Sequence, residues 1–149
     1  MREILFRGKR LDGCSWIEGY YVEQYKAQMI YIPNVEVYGD EYYHVIPETV
    51  GQYIGLTDKN GKKIFEGDII QFGEDEEYDW EFNIGVVKFG EGTFDSGIYR
   101  YTGFFYEDKK GNIDHNALYN WEEDWEKCKV IGNVWDNPEL LKENENERN

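Results

Sequence analysis

Short apolar runs, broken at close intervals by turn-forming residues, dominate this sequence and leave room for little besides an antiparallel β fold. The middle of the chain is the clearest case. Gly51-Gln52-Tyr53-Ile54-Gly55-Leu56 reads as a strand. Asp58-Lys59-Asn60-Gly61 then reads as a hairpin turn, because Asp58 can accept backbone N–H bonds and Asn60-Gly61 tolerate left-handed geometry. Ile64-Phe65 follow, and Glu66-Gly67-Asp68 leads into Ile69-Ile70-Gln71-Phe72. A Gly-Asp pair entering an apolar run suits a small barrel, where Gly permits a sharp bend and Asp holds it through backbone bonds. Asp108-Lys109-Lys110-Gly111-Asn112 echoes the first turn, as convergent hairpin chemistry rather than as an internal repeat.

The same texture runs from end to end. Ile4 to Arg7 opens as a strand, Asp12-Gly13 turns the chain, and Trp16-Ile17 with Tyr20-Tyr21-Val22 begins a second run. Met29 to Ile32 and Val35 to Tyr38 flank Pro33-Asn34, and Pro33 marks an edge or a break because it cannot donate to a ladder. Tyr42 to Ile46 returns after Gly39-Asp40. Pro47 marks a change of texture, which places a soft boundary between an N-terminal β subdomain, residues 1–46, and a barrel-like β core, residues 47–141. Ile84 to Phe89, Ile98 to Tyr106 and Val130 to Trp135 supply further strands. Leu118, Trp121, Glu122 and Trp125 have the spacing of one short helix. Asn137-Pro138-Glu139-Leu140-Leu141 predicts a capped C-terminal helix, with Asn137 as N-cap and Pro138 at the first position. Residues 142–149 are polar and read as a fraying, disordered tail. The expected class is mainly β with minor α: a small SH3-like or pseudo-barrel sheet with short helices.

Charge and composition exclude several functions. Lys plus Arg number 16 against 31 Asp plus Glu, a formal net charge of -15, so the chain cannot hold nucleic acid directly by counterion release. No stretch approaches the roughly 18 continuous apolar residues of a membrane helix. Aromatic residues make up 17% of the chain, which supplies enough burial to oppose disorder despite the acidity. The opening residues lack an apolar secretory core, and Cys14 and Cys128, which could form one disulfide, read instead as two free thiols in a reducing cytoplasm.

Three segments carry a family resemblance: Met1 to Arg7, Gly51-Gln52-Tyr53-Ile54-Gly55-Leu56-Thr57-Asp58-Lys59-Asn60-Gly61-Lys62-Lys63-Ile64-Phe65-Glu66-Gly67-Asp68-Ile69-Ile70, and Val130-Ile131-Gly132-Asn133-Val134-Trp135-Asp136-Asn137-Pro138-Glu139-Leu140-Leu141. In this order they resemble the YopX family of phage and prophage proteins. The resemblance implies a mainly β fold with a small barrel-like part, in the cytoplasm of a bacterial host. It brings no reaction and no catalytic residue.

The residues themselves nominate no catalytic group, metal ligand or cofactor. Asp114-His115-Asn116 offers only adjacent side chains, which diverge, and His44 sits among strand residues. A calcium loop starting at Asp58 would need a bidentate Glu at its twelfth position, where Ile69 stands. Acids such as Glu66 and Asp68 could pair for acid–base work, but any acidic chain offers such pairs. The feature beyond folding is the acidic and aromatic surface. Glu74, Asp75, Glu76, Glu77, Tyr78, Asp79 and Trp80, continuing to Glu81, place six acids in eight residues, and Glu122, Glu123, Asp124 and Trp125 form a second cluster. Such a face serves solubility. It also suits a non-enzymatic interaction module that docks on a protein partner, for instance a basic host protein. Its narrower form is an inhibitor that imitates the DNA backbone before a host DNA-binding protein, with the aromatic residues as anchors. Homo-oligomerisation through exposed β edges and an unrecognised hydrolase are the other readings.

Overall fold

The computed structural model describes residues 3–13, 15–36, 39–78, 82–94, 97–114 and 128–142. The chain is mainly β, and it divides into two compact units, Met1–Gly55 and Leu56–Asn149. The helix expected over Leu118 to Trp125, Cys14 and the tail beyond Lys142 lie outside the described residues.

The first unit holds β1 (Phe6–Lys9), β2 (Trp16–Gln24), β3 (Ala27–Val35), β4 (Gly39–His44), a 3₁₀ turn at Pro47–Thr49 and the start of β5 (Gly51–Thr57), which continues past Gly55 into the second unit. Its strands lie in the order β4-β3-β2-β1-β5. The pairs β1–β2, β2–β3, β3–β4 and β1–β5 are all antiparallel. Met29, Ile30, Val45, Tyr53 and Ile54 are buried. The 3₁₀ turn is tied down by Thr49, whose hydroxyl donates to the Ile46 carbonyl (2.6 Å) and accepts from the Lys9 N–H (2.9 Å). Asp12-Gly13 turns the chain as expected, with the Gly13 N–H donating to the Arg10 carbonyl at 2.8 Å. Pro33 falls beyond the last residue of β3 paired with β2 (Tyr31) and inside a register irregularity between Ile32 and Val35. A residue without an N–H fits there, because the ladder is already interrupted.

The hairpin between β2 and β3 was hidden in the sequence. Its two central residues are Tyr25 (φ 51) and Lys26 (φ 65), both left-handed. This is the geometry that two-residue hairpin turns require, and Asn-Gly is its usual signal. The chain accepts the steric cost of two Cβ atoms at this turn. Replacing the pair by Tyr25→Asn with Lys26→Gly is expected to stabilise the protein by about 1–2 kcal/mol, read as a higher urea midpoint at unchanged slope.

The second unit contains the end of β5, β6 (Lys63–Phe65), β7 (Asp68–Phe72), β8 (Asn83–Phe94), β9 (Tyr99–Asp108), β10 (Ile113–Asp114), β11 (Cys128–Asn133) and a 3₁₀ turn at Pro138–Leu141. Its sheet has the linear order β10-β9-β8-β7-β11, again antiparallel. The small barrel expected from the sequence is realised in this order only as far as an antiparallel sheet. Ile64, Phe65, Ile69, Ile70, Val87 and Cys128 are among its most buried residues.

The C-terminal helix expected at Asn137 is instead a single 3₁₀ turn, and Asn137 makes no side-chain cap bond to it. The reason lies four residues upstream. The Asn133 side-chain oxygen accepts the N–H groups of Trp135 (3.1 Å) and Asp136 (2.9 Å), which winds 133–136 into a tight turn. The Asn137 side-chain oxygen then accepts the Asn133 N–H (3.2 Å), and the Asn137 N–H returns a bond to the Asn133 carbonyl (2.9 Å). The Asn137 side chain therefore closes the preceding turn, while its carbonyl accepts the Leu140 N–H (3.1 Å) and opens no more than the single 3₁₀ turn.

The two Asp turns are built alike. Asp58 Oδ1 accepts the N–H groups of Asn60 (2.8 Å) and Lys62 (2.9 Å), and Asp108 Oδ1 accepts those of Lys110 and Asn112 (both 2.9 Å). In each, the glycine N–H returns to the aspartate carbonyl, with Gly61 at φ 80 and Gly111 at φ 87. They differ in the second carboxylate oxygen. Asp108 Oδ2 accepts from the Asn112 side chain within the turn (3.1 Å). Asp58 Oδ2 accepts the buried Val130 N–H (3.0 Å), 72 residues away, while the Lys59 N–H donates to the Cys128 carbonyl (3.0 Å). The Asp108 turn is also tied to a distant strand, since the Lys109 N–H donates to the Ile84 carbonyl (3.0 Å) and the Asn83 side chain bonds Asp108; the Asp58 turn differs in that its carboxylate holds a buried backbone N–H of β11.

Burial would raise the pKa of Asp58, but the backbone donors Val130, Lys62 and Asn60 outweigh it and hold the carboxyl below its ordinary value of 3.8. Asp108 is lowered in the same way against its own burial, by Asn112, Lys110 and Asn83. Because both folded values are depressed, the stability these groups supply is fully present above the unfolded value and is lost as pH falls through the folded one. Asp58→Ala is expected to cost about 3 kcal/mol, since it leaves a buried N–H unsatisfied, and Asp108→Ala about 1 kcal/mol. Urea unfolding from pH 7 to pH 2 checks both the asymmetry and the loss of acid dependence in Asp58→Asn.

Candidate functional site

Three surfaces are candidates, and the acidic run comes first. Glu74, Asp75, Glu76, Glu77 and Tyr78 are all exposed, Tyr78 to 80%. The run is organised locally: Asp75 Oδ1 accepts the Glu77 N–H (2.9 Å), and the Asp75 carbonyl accepts that of Tyr78 (3.3 Å). Glu74 lies 3.9 Å from Lys59 Nζ, and Glu76 lies 4.0 Å from Lys109 Nζ. Lysines from the two Asp turns thus offset part of this charge, although exposed pairs of this length add little stability. Asp79, Trp80, Glu81 and the second cluster, Glu122, Glu123, Asp124 and Trp125, lie outside the described residues.

A tyrosine ladder on the first unit escaped the sequence reading. The register sets Tyr20 opposite Tyr31, and Tyr31 opposite Tyr42. Their ring centroids are 6.4 and 4.8 Å apart, and the second pair is stacked. Tyr20 is 51% and Tyr42 54% exposed. Burial and the Asp40 carboxylate, which accepts a hydrogen bond from the Tyr31 hydroxyl, hold the Tyr31 phenol above its usual pKa. Three aromatic rings thus cross three strands on one face, with an acid bonded to the middle one. Only the register could have revealed them, since Tyr20, Tyr31 and Tyr42 come from separate runs.

The third candidate is a cleft of about 250 Å³ in the second unit, lined by Glu66, Gly67, Val86, Val87, Lys88, Phe89, Val134 and Trp135. Its base is the turn between β6 and β7. Asp68 is buried, and its Oδ2 accepts the Phe65 N–H (2.8 Å), so this carboxylate holds the bend that the Gly-Asp pair predicts. Gly67 sits at φ 91, and a Cβ there would run into the Trp135 ring. The Gly67 N–H donates to the Val87 carbonyl (2.8 Å), and its carbonyl accepts the Val134 N–H (3.0 Å). Two of the segments that carry the family resemblance, around Gly67 and around Trp135, therefore meet here.

Glu66 and Asp68, which the sequence offers as a pair, have different duties. Asp68 is a structural acceptor, whereas Glu66 lines the cleft and is half-buried. Burial alone raises its carboxyl above the ordinary value. Cys128, packed at the start of β11, is pushed up to about 12 by burial and by the nearby Asp58 charge, and so is a poor nucleophile. Among the described residues no three His, Cys, Asp or Glu side chains gather as a metal ion would require. No helix among them is long and apolar enough to cross a membrane.

These features define an antiparallel β protein of two small units with turn-fastening aspartates. The chain matches the model of the YopX protein family over residues 10–142 and belongs to that family. Its fold is similar to that in the crystal structure of protein EF1440 from Enterococcus faecalis, with a TM-score of 0.53 at 22% identity, covering 95% of this chain and 100% of that one. Comparison with curated proteins gave no match.

A raised folded pKa means that the ionised Glu66 opposes folding at neutral pH. Glu66→Gln is therefore expected to raise the melting temperature at pH 7. The gain should fade as pH falls below the unfolded carboxyl value, where both side chains are neutral, and calorimetry across that range checks the sign.

Proposed function

We propose that this protein is a non-enzymatic interaction module, acting in the cytoplasm of a bacterium that carries a phage or prophage, and that it docks on a basic protein partner. The observation that supports this most is the half-exposed ladder Tyr20–Tyr31–Tyr42 with Asp40 beside it. Tyrosine offers large contact area with few rotatable bonds and is enriched among residues that dominate interface energy. A net charge of -15 steers a basic partner and disfavours an acidic one. The exposed acids from Glu74 to Glu77 support a narrower form of the same reading, in which the partner is a DNA-binding protein and the loop occupies its phosphate-binding surface. Glu66 is the sole carboxylic acid among the residues lining its cleft, so that cleft does not offer the paired carboxylates of acid–base hydrolysis.

Affinity capture from bacterial lysate at low and moderate salt tests the reading. The wild-type chain should retain a basic protein at low salt and lose it as salt rises. The double variant Tyr20→Ser, Tyr42→Ser should fail to retain it while melting at nearly the wild-type temperature. No partner at low salt, or equal retention by the variant, overturns the role given to the ladder. Light scattering on the free protein separates docking from self-assembly.

A further inference from the structure

We propose that the cleft between Glu66 and Trp135 is a receptor for one arginine side chain of a protein or peptide. The site lies in the second unit and stands whether or not the tyrosine ladder of the first unit docks anything.

The argument begins with the polar groups of the cleft. Gly67 has already used its N–H on Val87, and its carbonyl already accepts from Val134, so its backbone offers an occupant no hydrogen-bond donor. The lining cation, Lys88, has its Nζ 3.1 Å from Glu107 Oε2. Among the described residues nothing forms a hydrogen bond or ion pair with Glu66. The cleft therefore holds a half-buried carboxylate whose neighbouring lysine is committed elsewhere. Leaving such a group both desolvated and unpaired is unfavourable, and an occupant that restores a charge-assisted bond relieves that penalty. A neutral apolar occupant would deepen it, and an anion would be repelled.

The remaining walls narrow the kind of cation. Val86, Val87, Val134 and Phe89 are apolar, Phe89 is 54% exposed, and the Trp135 indole closes the side over Gly67. A long aliphatic stem can lie along such walls while its charged head reaches the carboxylate. Guanidinium suits the head better than ammonium. It is planar, weakly hydrated, stacks on indole and forks onto a carboxylate, whereas ammonium keeps its water. At about 250 Å³ the cleft falls below the size of ordinary small-molecule pockets and is scaled to a single side chain.

Titration of the intact protein with N-acetylarginine amide, followed by amide and indole NMR shifts, tests the proposal. Saturable shifts centred on the Gly67 amide and the Trp135 indole N–H are expected, with a dissociation constant on the order of millimolar. N-acetylcitrulline amide, which keeps the shape and removes the charge, should bind about tenfold more weakly, and so should arginine to Glu66→Gln. The Tyr20→Ser, Tyr42→Ser variant should bind arginine as the wild type does, which keeps this result separate from that of the ladder. Equal shifts with citrulline, equal affinity for N-acetyllysine amide, unchanged binding by Glu66→Gln, or shifts that bypass Gly67 and Trp135 would each overturn the assignment.

Discussion

The second unit depends on a single carboxylate. Asp58 satisfies two N–H groups of its own turn with one oxygen and a strand N–H far along the chain with the other. That second bond fixes β11 where it can pair with β7. Beyond β11, the Asn133 turn lays Trp135 over Gly67, and the Val134 N–H meets the Gly67 carbonyl. The Glu66 cleft is thus the last step of a sequence of contacts that starts at residue 58. Asp108 builds the same turn around a different anchor, the Asn83 side chain and the Ile84 carbonyl at the start of β8.

Much of this was legible in the amino acids, because turn chemistry is local. Asp58-Lys59-Asn60-Gly61, Asp12-Gly13 and Glu66-Gly67-Asp68 all bend the chain where their side chains and glycines indicate. The mainly β character follows from the apolar runs between them. Other features depend on contacts that no local window contains. Tyr25-Lys26 turns without a turn signature, since the paired strands β2 and β3 impose left-handed geometry on ordinary residues. Asn137 carries every mark of an N-cap, but its side-chain oxygen is taken by the Asn133 N–H and caps none of the N–H groups that follow it.

The candidate site divides in the same way. The acids and tyrosine from Glu74 to Tyr78 are exposed, as their repulsion suggests, but which lysines lie near them depends on the fold. The tyrosine ladder required the register of three strands. The separation of Glu66 from Asp68 required knowing which of two neighbouring carboxylates the backbone would capture. Alternation in the sequence says that both stand near a bend; the position of Phe65 decides that Asp68 becomes a structural acceptor and Glu66 does not.

The outer strand of the first unit has a consequence of its own. Among the described residues β4 ends the strand order, and an uncovered strand invites another polypeptide to extend the sheet. Here that rim begins Gly39-Asp40-Glu41, with Asp40 bound to the Tyr31 hydroxyl and Glu41 to that of Tyr43. Two identical rims paired parallel and in register would face carboxylate with carboxylate. Such a rim opposes the stacking of identical edges that templated fibril growth requires.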